Sequence, residues 1–308
     1  MLMASLAARP TVTAHGLRPI AIDPRVAVGV ATRGRPEFVR LVVEHLRLQT
    51  LAPAKILVAC VEATDVEGLA AAPDLVVIAS EPGLTLQRNA ILDRLPEDCE
   101  FIVFFDDDFF PQREWLARSL HAFEARPEIA CITGHVIANG VCGQNLSAED
   151  ALERLEPARP DDHDWVEENI SPYGCNMAFR RSAIGALRFD ERLVHYGWLE
   201  DRDFGAQVER QGGRLVRLGA ALGVHLGVAS GRMSDRRLGY AQIANPLHLL
   251  FKRTMSPRLF LLRVLTDFAS NALKAPRARA RRARLAGNLI ALGEALVGRC
   301  KPERAGRF

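Results

Sequence analysis

No two cysteines of this chain form a CxxC pair. Cys60, Cys99, Cys131, Cys142, Cys175 and Cys300 are scattered, several of them within apolar runs. That spacing argues against a zinc ribbon or a disulfide frame. It points to reduced, mostly buried thiols and a cytoplasmic setting. Long hydrophobic runs are also missing, and none is long enough to span a bilayer. Residues 1–8 are weakly apolar but lack a basic leader and a proper apolar core, so no signal peptide is expected. There is no internal repeat. Net charge is low, at +3 over 308 residues, yet it is unevenly spread. From Leu250 onward 14 lysines and arginines face 3 acidic residues, a net of +11, and the remainder carries 26 against 34, a net of −8. An acidic body therefore joins a basic tail.

What is present in strength is a run of five apolar residues, Phe101, Ile102, Val103, Phe104 and Phe105, that meets three carboxylates, Asp106, Asp107 and Asp108. A short apolar run of aromatic and β-branched residues suits a strand buried on both faces. The carboxyl ends of such strands are where open α/β sheets bind ligands. Three adjacent carboxylates repel one another and resist burial unless a cation joins them. Hard oxygen donors suit Mg²⁺ or Mn²⁺, with a phosphate-bearing ligand beside the ion. The plainer reading is an acidic turn capping the next helix. The abrupt step from buried strand to carboxylates favours the metal.

Around this stretch strands and helices alternate. Strands are expected at 25–31, 54–61, 75–80, 101–105 and 129–136, and helices at 37–49, 82–95 and 111–125. Pro36 fits a first helical turn, with Glu37 favoured by the helix dipole. The alternation predicts an α/β fold with a Rossmann-like, mostly parallel central sheet flanked by helices. Residues 1–24, with three prolines, read as a loose lead-in. Residues 139–172 read as a long polar insertion. Its Asp162, His163 and Asp164 are better taken as a solvated or substrate-facing loop than as a metal cluster. Further strands are expected at 174–179 and 214–224. Between them a helix opens at Glu200, Asp201 and Asp203, where negative charge suits a helix start. His225 follows the last strand, and taken alone such a histidine is usually structural.

Residues 247–273 look helical and amphipathic, 274–284 are densely basic, and 285–297 are apolar again. The expected organisation is a lead-in at 1–24, a main domain at 25–248 and a basic helical extension at 249–308. A basic amphipathic extension suggests contact with an anionic membrane surface. Nucleic acid is disfavoured, because the body is acidic and the arginine-rich run has no stacking aromatics.

Taken in order, several motifs resemble one family. They are Thr32-Arg33-Gly34-Arg35-Pro36 after the first strand, Arg88-Asn89 at a helix start, and Asp106-Asp107-Asp108. There follow Gly174-Cys175-Asn176-Met177-Ala178-Phe179-Arg180-Arg181 ahead of Phe189-Asp190-Glu191, then Glu200-Asp201, and last His225. The set resembles the inverting glycosyltransferases of family 2, with the GT-A fold, across roughly residues 25–250. The resemblance implies a nucleotide-sugar donor, linked through UDP or GDP/dTDP, with a glycan or lipid-linked acceptor and Mg²⁺ or Mn²⁺ as cofactor. Thr32, Arg33 and Arg35 would lie against the nucleotide, and Glu62 would take the position of a carboxylate for the base or ribose. Arg88 would balance phosphates and aspartates, and Asp106 and Asp107 would sit on the donor side. Asp108 and His225 would hold the metal. Asp201 would be the catalytic base, with Glu200 beside it. Arg232, with Arg236 and Arg237, would close over the diphosphate. The family's processive members carry QxxRW, which is absent here, and that implies transfer of a single sugar.

Two other classes compete. A sugar-phosphate nucleotidyltransferase would want a Gly-rich basic loop after the first strand, and residues 32–36 hold only Gly34. A non-catalytic glycan- or nucleotide-sugar-binding protein of the same fold has no need of carboxylates at both clusters.

Overall fold

The computed structural model describes residues 21–142, 146–228 and 233–308. Its centre is a nine-stranded mixed sheet. Four strands come first: β1 (Ala21–Ala31), β2 (Leu51–Cys60), β3 (Leu75–Ala79) and β4 (Phe101–Asp106). All are mutually parallel, in the order β3-β2-β1-β4. Their crossovers carry α1 (Pro36–Leu46) and α2 (Leu84–Leu92). The second half contains β5 (Phe109–Pro111), α3 (Trp115–Ala125), β6 (Ile129–Asn139) and α4 (Ala148–Leu155). After these come β7 (Val166–Glu168), β8 (Asn176–Arg180), α5 (Arg181–Ile184), α6 (Glu200–Arg210) and β9 (Arg214–His225).

The parallel order expected from the alternation holds on the β3 side of β4. Beyond β4 the directions mix: β8 runs antiparallel to both β4 and β6, and β6 and β9 are parallel. Between β7 and β8 the chain has no helix, so nothing forces β8 to run parallel to its neighbours.

Side-chain alternation on β4 builds two cores. Phe101, Val103 and Phe105 join Val39, Val42, Leu46, Leu116 and Phe123 of α1 and α3 on one face. Ile102 and Phe104 join Ile91, Phe204 and Val208 of α2 and α6 on the other. The period of two puts every second residue into each core, so five consecutive apolar residues are what a strand covered on both faces requires. Gly29 of β1 brings α2 close: a Cβ there would lie 2.8 Å from Ile91. Ile91 is one helical turn beyond Arg88, so this approach seats Arg88 over the end of β4.

Two local expectations are corrected. The first strand begins at Ala21, where Ala21, Ile22 and Asp23 pair with Leu51, Ala52 and Pro53. The segment at 139–172 is not all loop, because α4 lies within it and buries Ala151 and Leu155. Ser147 and Asp150 cap that helix reciprocally, Ser147 Oγ accepting from Asp150 N at 3.1 Å and Asp150 Oδ2 from Ser147 N at 2.8 Å.

Three helices follow the sheet: α7 (Asp235–Phe251), α8 (Pro257–Lys274) and α9 (Arg279–Leu296). The helix expected at 247–273 is two, because Ser256 caps a fresh start and Pro257 occupies its first turn. A buried amide cluster joins the three: Asn271 Nδ2 donates to Gln242 and Asn288, each at 2.8 Å, and Asn288 Nδ2 donates to Gly239 O at 2.6 Å. Ionic contacts fasten them to the sheet domain. Lys252 Nζ lies 2.6 Å from Asp203 and 2.9 Å from Asp190, His248 lies 2.8 Å from Asp190, and Thr254 donates to Asp203 at 2.6 Å. Asp203, expected as a helix-start acid, is fully buried and serves as this anchor.

Removing one member of such a buried pair leaves the other charge uncompensated. Asp203→Ala is expected to cost about 3 kcal/mol of stability, read as a lower midpoint in urea unfolding. An unchanged midpoint would show that the anchor contributes nothing.

Candidate active site

The carboxyl ends of β1 and β4 open on one side of the sheet, and most of the described residues singled out from the sequence lie there. Asp106 ends β4, and Asp107 and Asp108 form the turn into β5. Pairing of β5 with β9 sets Phe109 opposite His225. His225 Nε2 consequently lies 3.2 Å from Asp108 Oδ1 and 3.9 Å from Asp106 Oδ2. The three side chains offer donor atoms that all lie within 4.8 Å of one another, a compact set of two carboxylates and one imidazole. That donor set fits Mn²⁺ or Mg²⁺.

The loop after β1 locks this corner. Thr32 Oγ1 donates to Asp107 at 2.8 Å, and Arg35 Nη1 donates to Asp107 at 2.7 Å and lies 3.8 Å from Asp108. Asp108 also accepts from Val228 N at 2.7 Å. Asp107 is thus held by protein groups, while Asp106, the most exposed of the three aspartates, faces a cavity. Burial raises Asp106 and lifts Asp107 to about 7. At Asp108 burial is outweighed by the hydrogen bond and charge of His225, which keep its carboxyl below the ordinary value.

That cavity, of about 210 Å³, is lined by Thr32, Arg33, Arg35, Asp106, Asp107 and Arg237, and by Gly83, Gln87, His195 and Tyr196 among others. Gln87 Nε2 ties the first loop down by donating to Thr32 O at 2.8 Å and Ala59 O at 2.9 Å. His195 (φ 59°) and Leu199 (φ 72°) hold left-handed backbone on either side of Gly197, in the loop that gives His195 and Tyr196 to the cavity wall. Bulky residues rarely adopt that conformation. Neither Gln87 nor His195 stood out in the sequence, since no local pattern marks a side chain whose role is to tie one loop to another.

Arg88 joins the aspartate corner to a second carboxylate cluster. Its guanidinium is buried beside the rings of Phe104 and Phe189. It lies 2.5 Å from Glu200 and 3.2 Å from Asp106, and donates to Gly174 O at 2.8 Å. Gly174 N in turn donates to Asp201 Oδ2 at 2.9 Å. Glu200 is buried, and its second oxygen has no partner. Asp201 is half-buried, with its carboxylate fixed by Gly174 N and Arg202 N. A side chain at Gly174 would meet Glu200 Oε1 at 3.0 Å and Asp201 Oδ2 at 3.3 Å, so only glycine leaves both in place.

One expected residue lies away from the cavity. Glu62 is exposed and does not line the cavity. The carboxylate that organises this loop is the buried Asp65, which accepts from Gly34 N at 2.6 Å, Val61 N at 2.9 Å and Glu62 N at 2.8 Å. Arg232 lies outside the described residues. Of its neighbours in the basic stretch, Arg237 reaches the cavity and Arg236 stacks on Phe308 at 5.5 Å.

Several solved structures share this architecture. Mannosyltransferase PcManGT from Pyrobaculum calidifontis, in complex with GDP-Man and Mn²⁺, matches with a TM-score of 0.52 and 18% identity, over 89% of this chain and 80% of its own. S. aureus TarS 1-349, in complex with UDP-GlcNAc, matches with a TM-score of 0.54 and 15% identity, over 85% and 78%. The fold is GT-A. GalNAc-T7 with UDP, GalNAc and Mn²⁺ also matches, with a TM-score of 0.50 and 14% identity, over 65% of this chain and 42% of that one. No protein-family model and no curated protein matches the chain by sequence.

Two predictions follow from this GT-A corner. Asp108→Asn should weaken Mn²⁺ binding by more than tenfold, about 1.4 kcal/mol, as measured by electron paramagnetic resonance; retained affinity would remove Asp108 from the ligand set. Burial lifts the Glu200 carboxyl to about 8, with Asp201 and Asp106 adding to the rise against the opposing Arg88. A carboxyl raised on folding stabilises most below its unfolded value of 4.5, and the contribution is lost as pH climbs through about 8. Melting temperature should therefore fall across that window, and Glu200→Gln should flatten the fall. An identical slope in the variant would contradict this.

Proposed function

We propose that the protein is an inverting glycosyltransferase of the family 2 kind. In this reading it moves a single hexose from a UDP-, GDP- or dTDP-sugar to a glycan or lipid-linked acceptor in a reducing, cytoplasmic setting. The observation that carries this reading is Arg88. One buried guanidinium spans the Asp106 corner, where a diphosphate and divalent ion fit, and the Glu200–Asp201 pair, where an acceptor hydroxyl would be deprotonated.

The roles follow from position. Thr32, Arg33, Arg35 and Arg237 surround the cavity and bind the nucleotide and its phosphates. Asp106, Asp108 and His225 would hold Mn²⁺ or Mg²⁺, which when bound acts as a Lewis acid toward the departing diphosphate. Arg88 adds fixed positive charge beside the same group, where negative charge grows in the transition state. Asp201 removes the proton of the attacking hydroxyl. Two backbone N–H groups aim its carboxylate. Glu200 holds Arg88 and so acts as a positioning residue. Attack from the side opposite the leaving group inverts the anomeric carbon. Cys60, Cys99, Cys131, Cys175 and Cys300 are free thiols, and the first four are buried, in keeping with a reducing compartment.

The test is a thermal-shift panel of nucleotide sugars with and without Mn²⁺, followed by assay of nucleoside diphosphate release. One nucleotide sugar should raise the melting temperature in a Mn²⁺-dependent manner. Asp201→Asn should keep that shift while lowering kcat by about a thousandfold. A variant with normal turnover would place the base elsewhere, and release of inorganic diphosphate from a nucleoside triphosphate and sugar phosphate would favour a nucleotidyltransferase.

A further inference from the structure

We propose that α8 and α9 form a docking surface for an anionic phospholipid bilayer, on which the protein lies without crossing it. The argument begins with how little of α8 is buried. Of its eighteen residues only Asn271 is buried. Leu261, Leu262 and Leu265 are 56–58% exposed and Leu273 is 76% exposed. Their spacing, with Arg258 one turn earlier, puts them on one side of the helix. Water-facing leucines in a continuous row are unlike the scattered apolar residues of an ordinary surface. On α9 the outward side carries Arg279 and Arg282 near its start, then Leu289 and Leu296, which are 54% and 90% exposed. Phe251, which ends α7, is 78% exposed.

Charge decides what covers this surface. The segment from Leu250 onward has a net charge of +11. A second copy docking through the same faces would bring two such segments together, and like charge opposes that contact. Nucleic acid offers phosphates but nothing for rows of leucine. An anionic bilayer offers both: acyl chains for the leucines and headgroup phosphates for Arg277, Arg279 and Arg282. Among the described residues no helix is long and apolar enough to cross a membrane, so the helices would lie in the plane of the interface.

The inference stands apart from sugar transfer, and its test uses no turnover. The whole protein is floated with vesicles of phosphatidylcholine, with and without phosphatidylglycerol. Expected is binding to the anionic vesicles alone, weakened as salt is raised. Changing Leu261, Leu262 and Leu265 together to serine should weaken binding roughly tenfold or more. Those side chains are exposed, so circular dichroism and the melting temperature should be unchanged. Replacing Arg277, Arg279 and Arg282 with glutamate should abolish the preference for anionic lipid. Equal binding to neutral vesicles, or none to either, overturns the proposal on the unmodified protein. So does a dimer in sedimentation equilibrium that the leucine changes dissolve, or RNA binding that they leave intact.

Discussion

A single buried guanidinium sets the terms for the rest of the molecule. Arg88 is withdrawn from water, and a lone charge there would be strongly unfavourable. It is tolerated because Glu200, Asp106 and the Gly174 carbonyl surround it. Each partner arrives from a different part of the chain: α6, the end of β4 and the turn before β8. The sheet order that puts β8 beside β4 is thus also what completes the charge balance. The same strand order serves both the fold and the site.

The aspartate corner shows a division of labour among chemically identical neighbours. Asp107 is claimed by Thr32 and Arg35 and fixes the first loop. Asp108 turns toward His225 and the Val228 amide. Asp106 remains open to the cavity. Three adjacent carboxylates can coexist because each meets a different cation or donor, and the repulsion among them is spread over Arg35, Arg88 and His225.

Much of this is legible in the sequence, for identifiable reasons. The step from Phe105 to Asp106 announced both a strand covered on two faces and a ligand end, because burial and charge change within one peptide bond. Glu200 and Asp201 could be placed at a helix start from charge alone. Their link to Arg88 could not, because long-range ion pairs leave no local periodicity. Glu62 is a related case. Two acidic residues, Glu62 and Asp65, follow β2, and only three-dimensional closure shows that Asp65 turns inward to accept three amides. Ser147 with Asp150, and Ser256 with Pro257, are helix starts written in local chemistry, and the overall polarity or apolarity of each segment masks them.

One tether described above reaches further than stability. Lys252 grips Asp203, and Asp203 sits on the same first turn of α6 as Asp201. The carboxylate assigned to the proton and the rod leading to the leucine-faced hairpin are therefore parts of one lever. Because the Lys252–Asp203 joint holds the first turn of α6, the packing of the C-terminal helices also fixes where the Asp201 backbone stands.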